Sequence, residues 1–571
     1  MAMPWCSRSS LVLSLFTAGV AAGAPGAPCE EGPVLIIGSG ISGLVAARSL
    51  QHFGCPVQLL EALDRPGGRT HTFSSGPFAG LEEGAHWVHG GTDNVPVSVL
   101  LRMNNISQVR VGGDDDYEGP RQRLRLFDAS ARPLDAARRE VSFELFETAM
   151  AAATAYAEGH YGRLDHVAVA EVWDLALKVK YSKESRALLS WHQKVSYEQD
   201  SGASMTELSA VAEYVEDYTD FYPDRSEGME EHGDGFVQGG YSALVRRLSE
   251  GLDLRLSSPV TRVDHSPQGV SVTLQSGERV QGSAVIVTAS IGALQAEGIA
   301  FQPPLPIEKQ RALRRLRMGN VAKVLVKLAH SARDFLGAYS LGFLGNGTLS
   351  YCIRARREGK GPFLECFMGG HEAVDAEQMD LEELTRQVKQ QLAPLLGDAD
   401  VESVAITRWA TNPYIRGAWS FVPVNAIVQD FDTVAATVGQ RLLFAGEGTC
   451  RLLYGNVHAA VISGARAACE ILGRSGNSSW PLFRKDLLHL CTESPTSSSA
   501  PASRGRRSAM HLMRALRPSP SLPLGGRPST GRPSHGSGKL PACKGQTVAS
   551  VALKKKGARR HPRNHGTQGR V

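Results

Sequence analysis

Near the N-terminus, the chain reads Pro33-Val34-Leu35-Ile36-Ile37-Gly38-Ser39-Gly40-Ile41-Ser42-Gly43, and this stretch indicates the class of fold. Its apolar first half predicts a short buried strand, and the apolar run that ends at Leu50 predicts a helix. A second strand is predicted over Val57–Leu60, directly before Glu61. Strand, glycine turn, helix and strand form a βαβ unit, which favours an α/β fold with a doubly wound parallel sheet.

Each glycine of the G-x-G-x-x-G turn has a separate physical task. Gly38 allows the tight turn, Gly40 lets the backbone approach a pyrophosphate, and Gly43 lets helix and strand pack closely. Glu61 stands 18 residues after Gly43, where a carboxylate accepts hydrogen bonds from ribose hydroxyls. The free N–H groups at the helix N-terminus favour the anion. The sequence therefore predicts a dinucleotide site.

Other segments of the chain alternate between helical and strand patterns. Residues 137–217 are helix-patterned, and strand patterns return from about 236. Further strands are predicted at Leu254–Leu256, Val260–Val263, Val270–Leu274, Val280–Thr288, Val321–Leu328, Leu341–Ile353, Pro362–Met368 and Leu442–Phe444. Further helices are predicted at 302–315, 380–396 and Ala459–Leu472. Strands typical of a nucleotide-binding domain lie at both ends, so that domain is predicted to be discontinuous.

Charge is divided unevenly along the 571 residues. Residues 494–571 contain 16 Lys and Arg and no Asp or Glu, whereas residues 30–493 carry a net charge of about −12. An acidic body speaks against nucleic acid as its partner and allows a cationic one. The basic, Ser- and Pro-rich tail is predicted to be disordered. Nine cysteines are too sparse for a disulfide framework and show no close pairs, so no metal site is expected.

The N-terminus resembles a targeting segment. Arg8 precedes an apolar stretch from Leu11 to Ala22, followed by small residues, which is typical of a cleaved secretory signal. No later stretch reaches the ~18 apolar residues of a membrane span. The triplets that begin at Asn105, Asn346 and Asn477 are glycosylation sequons. We therefore expect a secreted or secretory-pathway protein, and no C-terminal peroxisomal signal is seen.

Three segments resemble motifs of the FAD-dependent amine oxidase family. Arg65-Pro66-Gly67-Gly68-Arg69-Thr70 is similar to its second motif, and Leu443-Phe444-Ala445-Gly446-Glu447-Gly448-Thr449 to its closing motif. Val457-His458-Ala459-Ala460-Val461-Ile462-Ser463-Gly464 resembles the following helix start, with Ala459 where Gly is usual. The resemblance implies FAD as cofactor. It also implies a discontinuous, Rossmann-like FAD-binding domain with an α+β substrate-binding domain.

The resemblance also implies residue roles at the cofactor. Arg69 would approach the flavin-side pyrophosphate. The backbone around Glu447 and Val457 would hold the ribityl chain and the pyrimidine edge of the flavin. The backbone of Val260 would meet the adenine side.

Within the family, two segments point to polyamine oxidases. Gly84-Ala85-His86-Trp87-Val88-His89-Gly90 is similar to their signature, and Met318–Val324 resembles the strand that places a lysine near flavin N5 through a water. Lys323 and His89 are thus the predicted catalytic residues. In the family, a Glu at the His89 position accompanies terminal cleavage, and a His accompanies back-conversion of spermine. Two alternatives remain open: Lys323 could point outward like Lys327, and His89 could be purely structural.

A third block, Arg408–Ser420, resembles the family segment that lines the substrate channel. Its candidate channel residues are Trp409, Tyr414 and Trp419, the last in place of the usual Tyr. Core packing is the alternative for Trp409 and Tyr414. The acidic residues between 213 and 234 predict either a solvated surface or a channel mouth that attracts polycations.

The predicted boundaries follow from these motifs. They are a signal peptide at 1–28, FAD-domain parts at 29–95, 236–300 and 426–475, a mainly helical substrate segment at 96–235, substrate-domain sheet and helices at 301–425, and the disordered tail at 476–571.

The activity implied by the resemblance is oxidation of a secondary amine of spermine, spermidine or an acetylated derivative. Hydride transfer to the flavin gives an imine that water hydrolyses to an aldehyde and an amine, and dioxygen becomes hydrogen peroxide. Alternatives are a secreted L-amino-acid oxidase, a flavin-dependent lysine demethylase and a non-catalytic binding protein. The partners expected are a small polyamine and dioxygen, in a monomer or dimer.

Overall fold

The computed structural model describes residues 31–89, 95–110, 124–164, 166–177, 181–214, 235–329, 340–345, 347–355, 362–396, 401–473, 480–488 and 491. The predicted signal peptide, residues 215–234 of the acidic stretch, the sequons at Asn346 and Asn477, and the tail from 492 lie outside these residues.

The described residues form both strands and α-helices. The strands are β1 (Val34–Ile37), β2 (Val57–Leu60), β3 (Trp87–Val88), β4 (Gln108–Arg110), β5 (Leu124–Phe127), β6 (Gly235–Val237), β7 (Leu254–Arg255), β8 (Val260–Ser266), β9 (Gly269–Leu274), β10 (Arg279–Gly282), β11 (Ala284–Val287), β12 (Ala300–Gln302), β13 (Arg317–Gly319), β14 (Val321–Leu328), β15 (Ser340–Phe343), β16 (Tyr351–Ala355), β17 (Phe363–Gly369), β18 (Val401–Ile406), β19 (Trp419–Phe421) and β20 (Leu442–Phe444). The helices are α1 (Ile41–His52), α2 (Pro96–Met103), α3 (Ala136–Gly159), α4 (Val169–Ala176), α5 (Lys183–Gln193), α6 (Gln199–Ser201), α7 (Ala210–Tyr214), α8 (Tyr241–Ser249), α9 (Ile291–Gln295), α10 (Ile307–Arg315), α11 (Gly370–Gln378), α12 (Leu381–Leu396), α13 (Gln429–Ala435), α14 (Val457–Ile471) and α15 (Lys485–Leu488).

A five-stranded parallel sheet with the order β20-β11-β1-β2-β7 forms the centre of the first domain. Successive side chains of β1 point to opposite faces. Val34 and Ile36 pack into the cluster that contains α1 and α14, whereas Leu35 and Ile37 pack against β8 and β9 on the other face. Because both faces are covered, β1 is apolar throughout. The predicted α/β class, with a doubly wound sheet, is confirmed.

A six-stranded mixed sheet with the order β18-β14-β17-β16-β15-β5 forms the second large layer. Alternate residues of β14 divide between its faces. Ala322, Val324 and Val326 pack in a cluster with residues of α11 and α12. Lys323 and Leu325 lie on the opposite face, so this sheet presents one apolar face to helices and one mixed face to the interior.

Two segments predicted as single strands are each two strands. Val280–Thr288 divides into β10, which pairs antiparallel with β9, and β11, which pairs parallel with β1. The separation is imposed by the two sheets that flank it, since each half hydrogen-bonds to a different partner. Leu341–Ile353 divides into the antiparallel strands β15 and β16, and Gly345 has φ +105° in the turn between them.

The segment after α14 differs from its predicted disorder. Trp480, Leu482 and Phe483 pack against the cluster that contains α1 and α14, and a disulfide joins Cys450 to Cys491. Residues 480–488 and 491 are therefore ordered, although the predicted tail begins at 476. The prediction failed because these residues lie beyond the last recognised motif. Their apolar side chains nevertheless bury enough surface to hold the segment against the domain.

The boundary predicted at 95/96 also differs from the packing. Leu100 and Leu101 of α2 belong to the core of the parallel-sheet layer and lie close to α14. A helix pattern alone does not show which of two cores a helix joins. The segment 301–425, which is predicted to belong to the substrate domain, also contributes to the first domain. Leu313 of α10 lies in the same apolar cluster as Leu35 of β1.

Candidate active site

A cavity of about 1010 Å³ opens between residues of the two sheets. Ile37 and Leu60, at the carboxyl ends of β1 and β2, line one end. Lys323 and Phe367, from β14 and β17, line another part. Ligands of open α/β sheets bind at such carboxyl ends. The cavity therefore has one side suited to a nucleotide, at the parallel sheet, and another side formed by the six-stranded sheet.

The glycine turn has the geometry that the sequence predicts. Gly38 has φ +99°, a conformation that favours glycine. A Cβ on Gly43 would lie 2.1 Å from the carbonyl oxygen of Gly38, so helix and strand approach too closely for a side chain. Gly40 differs, because no heavy atom lies within 4 Å of its missing Cβ and the residue lines the cavity. The space in front of Gly40 is therefore open to a ligand.

Glu61 lies buried at the end of β2 and faces the same turn. Its Oε2 accepts hydrogen bonds from the Ser39 N–H at 2.6 Å and the Ser39 hydroxyl at 2.8 Å. Its own carbonyl accepts from Ser258 N–H at 2.7 Å, which brings Val260 to the same part of the cavity lining. The structure thus brings together the residues predicted for the ribose and adenine side.

Arg69 and Glu447 connect motifs from opposite ends of the chain. Arg69 Nη1 donates to Glu447 Oε1 at 2.9 Å and to the carbonyl of Ala418 at 2.8 Å. Glu447 Oε2 accepts from Gly455 N–H at 2.9 Å and from Ser420. Both residues line the cavity, and the buried carboxylate is held by donors from several segments.

Val457 begins α14 at the edge of the cavity. The Asn456 side chain caps this helix by accepting from the N–H groups of His458 at 2.9 Å and Ala459 at 3.3 Å. His458 Nδ1 accepts from Val97 N–H, so its Nε2 donates to the carbonyl of His89 at 3.0 Å. The closing motif thereby positions the segment that carries His89.

The predicted cofactor residues fit FAD in the arrangement just described. An open backbone surface at Gly40 suits a pyrophosphate, and a carboxylate at Glu61 suits a ribose. Val457, at the start of α14, lines the cavity, where its backbone suits the polar edge of a flavin. Bound there, FAD would supply the two-electron oxidation of an amine.

Lys323 lies on the cavity side of β14 and is only 6% exposed. Its Nζ donates to the carbonyl of Glu82 at 3.1 Å and lies 3.8 Å from Glu365 Oε2. Lys327, four residues later, instead pairs with Glu402 at 2.7 Å and is partly exposed. The outward orientation is therefore excluded for Lys323.

Glu365 was not predicted from the sequence, and it contacts two residues of the predicted motifs. It is fully buried, and its Oε2 lies 3.0 Å from His86 Nδ1 as well as close to Lys323. Burial alone raises the pKa of Glu365, but the nearby His86 and Lys323 outweigh burial and hold it below its usual value. The period-2 pattern of β17 could have placed Glu365 and Phe367 on one face, but only the register with β14 brings them to Lys323.

His89 lines the cavity beside a second acid that was not predicted, Asp200. The Asp200 side chain is exposed to the cavity, and the protein that surrounds the cavity encloses it. Burial raises the pKa of Asp200 to about 6, and the nearby His89 opposes the shift. The Trp87 and His89 rings are stacked, with 6.5 Å between their centroids.

The three candidate channel residues all line the cavity. Trp409 is 6% exposed and packs against Gly84, whereas Tyr414 is 40% exposed, which excludes core packing for Tyr414. Trp419 is half-buried on β19 and contacts Gly455. Their segment is held by Glu377, a fully buried acid that the sequence did not indicate.

Glu213 is the first residue of the acidic stretch, and it lines the cavity. The rest of that stretch, after Tyr214, lies outside the described residues. None of the helices among the described residues combines the length and the apolar character that a bilayer crossing requires.

Comparison with known proteins gives relatives with several activities. The chain is 29% identical over 477 residues to "Lysine-specific histone demethylase 1 homolog 2" of Oryza sativa subsp. japonica, covering 80% of this chain and 60% of that protein. It is 27% identical over 442 residues to "Polyamine oxidase 5" of the same organism, covering 76% and 86%. The chain therefore spans about three-fifths of the demethylase and most of the polyamine oxidase.

The fold also matches a solved structure of putrescine oxidase bound to putrescine. The TM-score is 0.61 at 20% identity, and the match covers 78% of this chain and 99% of that chain. The family model of flavin containing amine oxidoreductases matches residues 41–472, which include the motifs from Arg65 to Gly464. The chain therefore belongs to the flavin-containing amine oxidoreductases, with FAD as its cofactor.

Proposed function

We propose that this amine oxidoreductase is a polyamine oxidase. It would oxidise a secondary amine of spermine, spermidine or an acetylated derivative and use dioxygen, giving an aldehyde, an amine and hydrogen peroxide. The observation that carries the proposal is the carboxyl group of Asp200 beside His89 on the cavity wall. An ionised carboxylate there binds the charged nitrogens of a polyamine through charge-assisted hydrogen bonds.

The cavity wall supports the same substrate class. The aromatic side chains of Trp87, Tyr351, Phe367 and Trp419 line it. Aromatic faces attract alkylammonium groups and pack against the methylene segments between them. A chain of alternating methylenes and amines therefore finds both kinds of partner along one cavity.

An amino-acid substrate fits the cavity less well. Its carboxylate requires a cationic partner, and the Lys and Arg side chains among the described lining residues are Lys323, Arg69 and Arg416. Lys323 is engaged by Glu365 and by the carbonyl of Glu82. Arg69 is engaged by Glu447 and Ala418, and Arg416 donates to the carbonyl of Pro413 from an exposed position. The arrangement supports a cationic substrate rather than an anionic one.

A methylated lysine side chain is the second candidate substrate. It is favoured by the demethylase relatives, one of which is 30% identical over 461 residues. A methylated lysine also presents an alkylammonium group, so the same acid and aromatic wall would receive it. The assay must therefore include both amines.

Release of hydrogen peroxide by the purified holoenzyme tests the proposal. The amines compared are spermine, N-acetylspermine, spermidine, a monomethyl-lysine peptide and L-phenylalanine. We expect peroxide with at least one polyamine at a kcat/KM at least about tenfold above the peptide, a difference of 1.4 kcal/mol. Turnover of only the peptide or only the amino acid would reject the polyamine assignment.

Asp200→Asn tests the residue that carries the proposal. Loss of the charge should raise KM for spermine about tenfold or more, since hydrogen bonds to charged groups contribute roughly 1.5–3 kcal/mol. Asp253→Asn is the matched control, because Asp253 is exposed and its carboxylate accepts a hydrogen bond from the side chain of Gln58, away from the cavity lining. Equal KM values for wild type and Asp200→Asn would show that this acid does not bind the substrate.

The pH dependence of binding follows from the same carboxyl. Its pKa of about 6 lies above the usual value, so the ionised form is lost as the pH falls through 6. KM for spermine should therefore rise below pH 6 and level off above it. In Asp200→Asn this inflection should be absent.

The cleavage side is proposed from His89. We propose back-conversion, in which spermine gives spermidine and 3-aminopropanal. A neutral imidazole hydrogen-bonds an amine without demanding its charge, unlike a carboxylate. His89→Ala should raise KM or lower kcat/KM, and mass spectrometry of the wild-type products should show spermidine. 1,3-Diaminopropane as the main product would contradict the proposal.

We also propose that the enzyme works in the secretory pathway or outside the cell. Two disulfides, Cys352–Cys366 and Cys450–Cys491, support this location, because such bonds persist in oxidising compartments. Asn105 is exposed in the turn after α2, where its sequon is accessible to glycosylation. Secreted enzyme should begin between about Gly23 and Cys29, and Asn105→Gln should remove one glycan from it. N-terminal sequencing that finds Met1 or Ala2 would reject the proposal.

A further inference from the structure

The flavin-side lysine shares a buried acid with a second base. In the register of β14 and β17, Lys323 lies opposite Phe367 and Leu325 opposite Glu365. Glu365 is thus the diagonal neighbour of Lys323 on the same face of the sheet, and their charged atoms are 3.8 Å apart. The position is built into the pairing of the two strands.

His86 reaches the same carboxylate from a different segment, just before β3. Its Nδ1 lies 3.0 Å from Glu365 Oε2, and its ring lies 4.7 Å from Phe236 and 4.9 Å from Trp87. His86 and Lys323 both line the cavity. Glu365 is absent from the lining and fully buried, so one inner carboxylate contacts two bases that face the ligand space.

No donor among the described residues reaches the second oxygen of Glu365, Oε1. Phe363 lies two residues before Glu365 on β17, and Leu325 lies opposite Glu365 on β14; both belong to an apolar cluster. The charge of Glu365 is therefore balanced chiefly by His86 and Lys323. A buried charge without such partners costs several kcal/mol.

Within the described part of the chain, a second acid, Glu82, also faces the two bases. Its carbonyl accepts from Lys323, and its carboxyl accepts from Tyr241 N–H at 2.8 Å and from Thr72 at 3.0 Å. Burial raises the pKa of Glu82, although His86 and Lys323 oppose the rise. The pKa of Glu365 is shifted in the opposite direction, below its usual value, so Glu365 keeps its negative charge to a lower pH than Glu82 does.

We propose that Glu365 is the counter-ion that sets the protonation of Lys323 and His86, and that His86 takes the proton which a bound ammonium substrate loses before oxidation. The proposal rests on the proposed function in that its substrate carries an ammonium group. The carboxylate accepts the Nδ1–H of His86, which makes Nε2 the basic nitrogen. The proton passes from the substrate nitrogen to Nε2, and the substrate becomes the neutral amine.

Glu365→Gln tests the counter-ion with little change of volume. Stopped-flow reduction of the bound flavin by spermine, without oxygen, is followed from about pH 6 to about pH 10. Without the anion, the protonated forms of both bases are less stable, so the pH limbs of the reduction rate should move down by about one unit or more. A purely structural role would lower the rate at every pH and leave the limbs in place, which would overturn the proposal.

Glu402→Gln is the matched control. Glu402 pairs with Lys327 on the same β14 strand, but on the partly exposed side. Its loss should leave the limbs unchanged. If spermine leaves the wild-type flavin oxidised, the proposed function fails, and the same pH series is run with the monomethyl-lysine peptide.

Thermal unfolding of the holoenzyme tests the counter-ion without turnover. Glu365→Gln should lower Tm more at about pH 6 than at about pH 10, because the lost anion stabilises only the protonated forms of its two partners. Lys323→Met in the Glu365→Gln background should recover part of the lost Tm, because it removes the unpaired buried cation. An equal loss at both pH values with no recovery would overturn the proposal, whatever the substrate.

Discussion

Gly40 carries no side chain at the point where α1 meets the cavity, and its neighbours leave the space in front of it open. Gly43, one turn later, is constrained by the opposite condition, a carbonyl oxygen 2.1 Å from the missing Cβ. The two glycines therefore serve different ends at the residue scale. One keeps room for a ligand, and the other lets the helix pack on the strand.

Replacement of Gly40 by valine should remove the flavin without unfolding the protein. Valine at this position fills ligand space rather than protein space, so the purified variant should be colourless yet show cooperative unfolding. Gly159→Val is the control, since Gly159 is exposed at the end of α3 with open space around it. Flavin absorbance bands of wild-type intensity in Gly40→Val would contradict this placement of the pyrophosphate.

At the scale of elements, the loop that follows β18 depends on one buried carboxylate. Glu377, near the end of α11, accepts from the N–H groups of Trp409 at 2.9 Å, Ala410 at 3.1 Å and Thr411 at 2.9 Å. It also accepts from the Thr411 hydroxyl at 2.9 Å. A helix thereby holds the segment that leads to Tyr414 and the cavity wall.

Glu377→Gln should loosen this loop. An amide keeps one acceptor but turns its NH₂ group toward backbone donors, which costs about 1–3 kcal/mol for an unsatisfied group. We expect a lower free energy of unfolding and a KM for spermine several-fold higher, with kcat less affected. Glu372→Gln on the same helix is the control, because Glu372 is 43% exposed and pairs with Lys194 at the surface. Matching values for the two variants would exclude a positioning role.

Several strand bounds were predictable from the sequence. Val57–Leu60, Val321–Leu328 and Leu442–Phe444 have the predicted bounds, because each is a mainly apolar run that ends at a polar or turn residue. Motifs likewise placed Lys323 and Arg69 in the cavity. Glu365 could not be found, because its place follows from the register of two strands about 40 residues apart in sequence.

At the scale of the whole molecule, the chain after α14 belongs to the first domain. Leu482, Phe483 and Leu487 are buried in its core, and the Cys450–Cys491 disulfide fastens the segment beside the closing motif. Cys450 directly follows Thr449, so the disulfide lies next to the closing motif. Glu447 of that motif contacts Arg69. The core of the flavin domain therefore extends well past Leu472.

Two truncations separate this folded segment from the basic tail. A chain ending at 493 should keep its Tm and flavin content. A chain ending at 473 should lose several kcal/mol of stability, since each buried Leu or Phe contributes about 1.5–3 kcal/mol and the disulfide about 2–4 kcal/mol. Thermal unfolding of both, with wild type, checks the expectation. Equal Tm values for the two truncations would show that residues 480–491 do not stabilise the domain.

The parallel sheet also constrains how the protein is made. β1 can pair with β2 once residue 60 has been made, but its other neighbour, β11, begins at residue 284, and the edge strand β20 begins at residue 442. At 5–20 residues per second, the interval from β1 to β20 is roughly 20–80 seconds. During it, the nascent sheet has unpaired edges that favour aggregation. Because the contact between Arg69 and Glu447 also needs residue 447, we expect the FAD site to be complete only after β20 has been made.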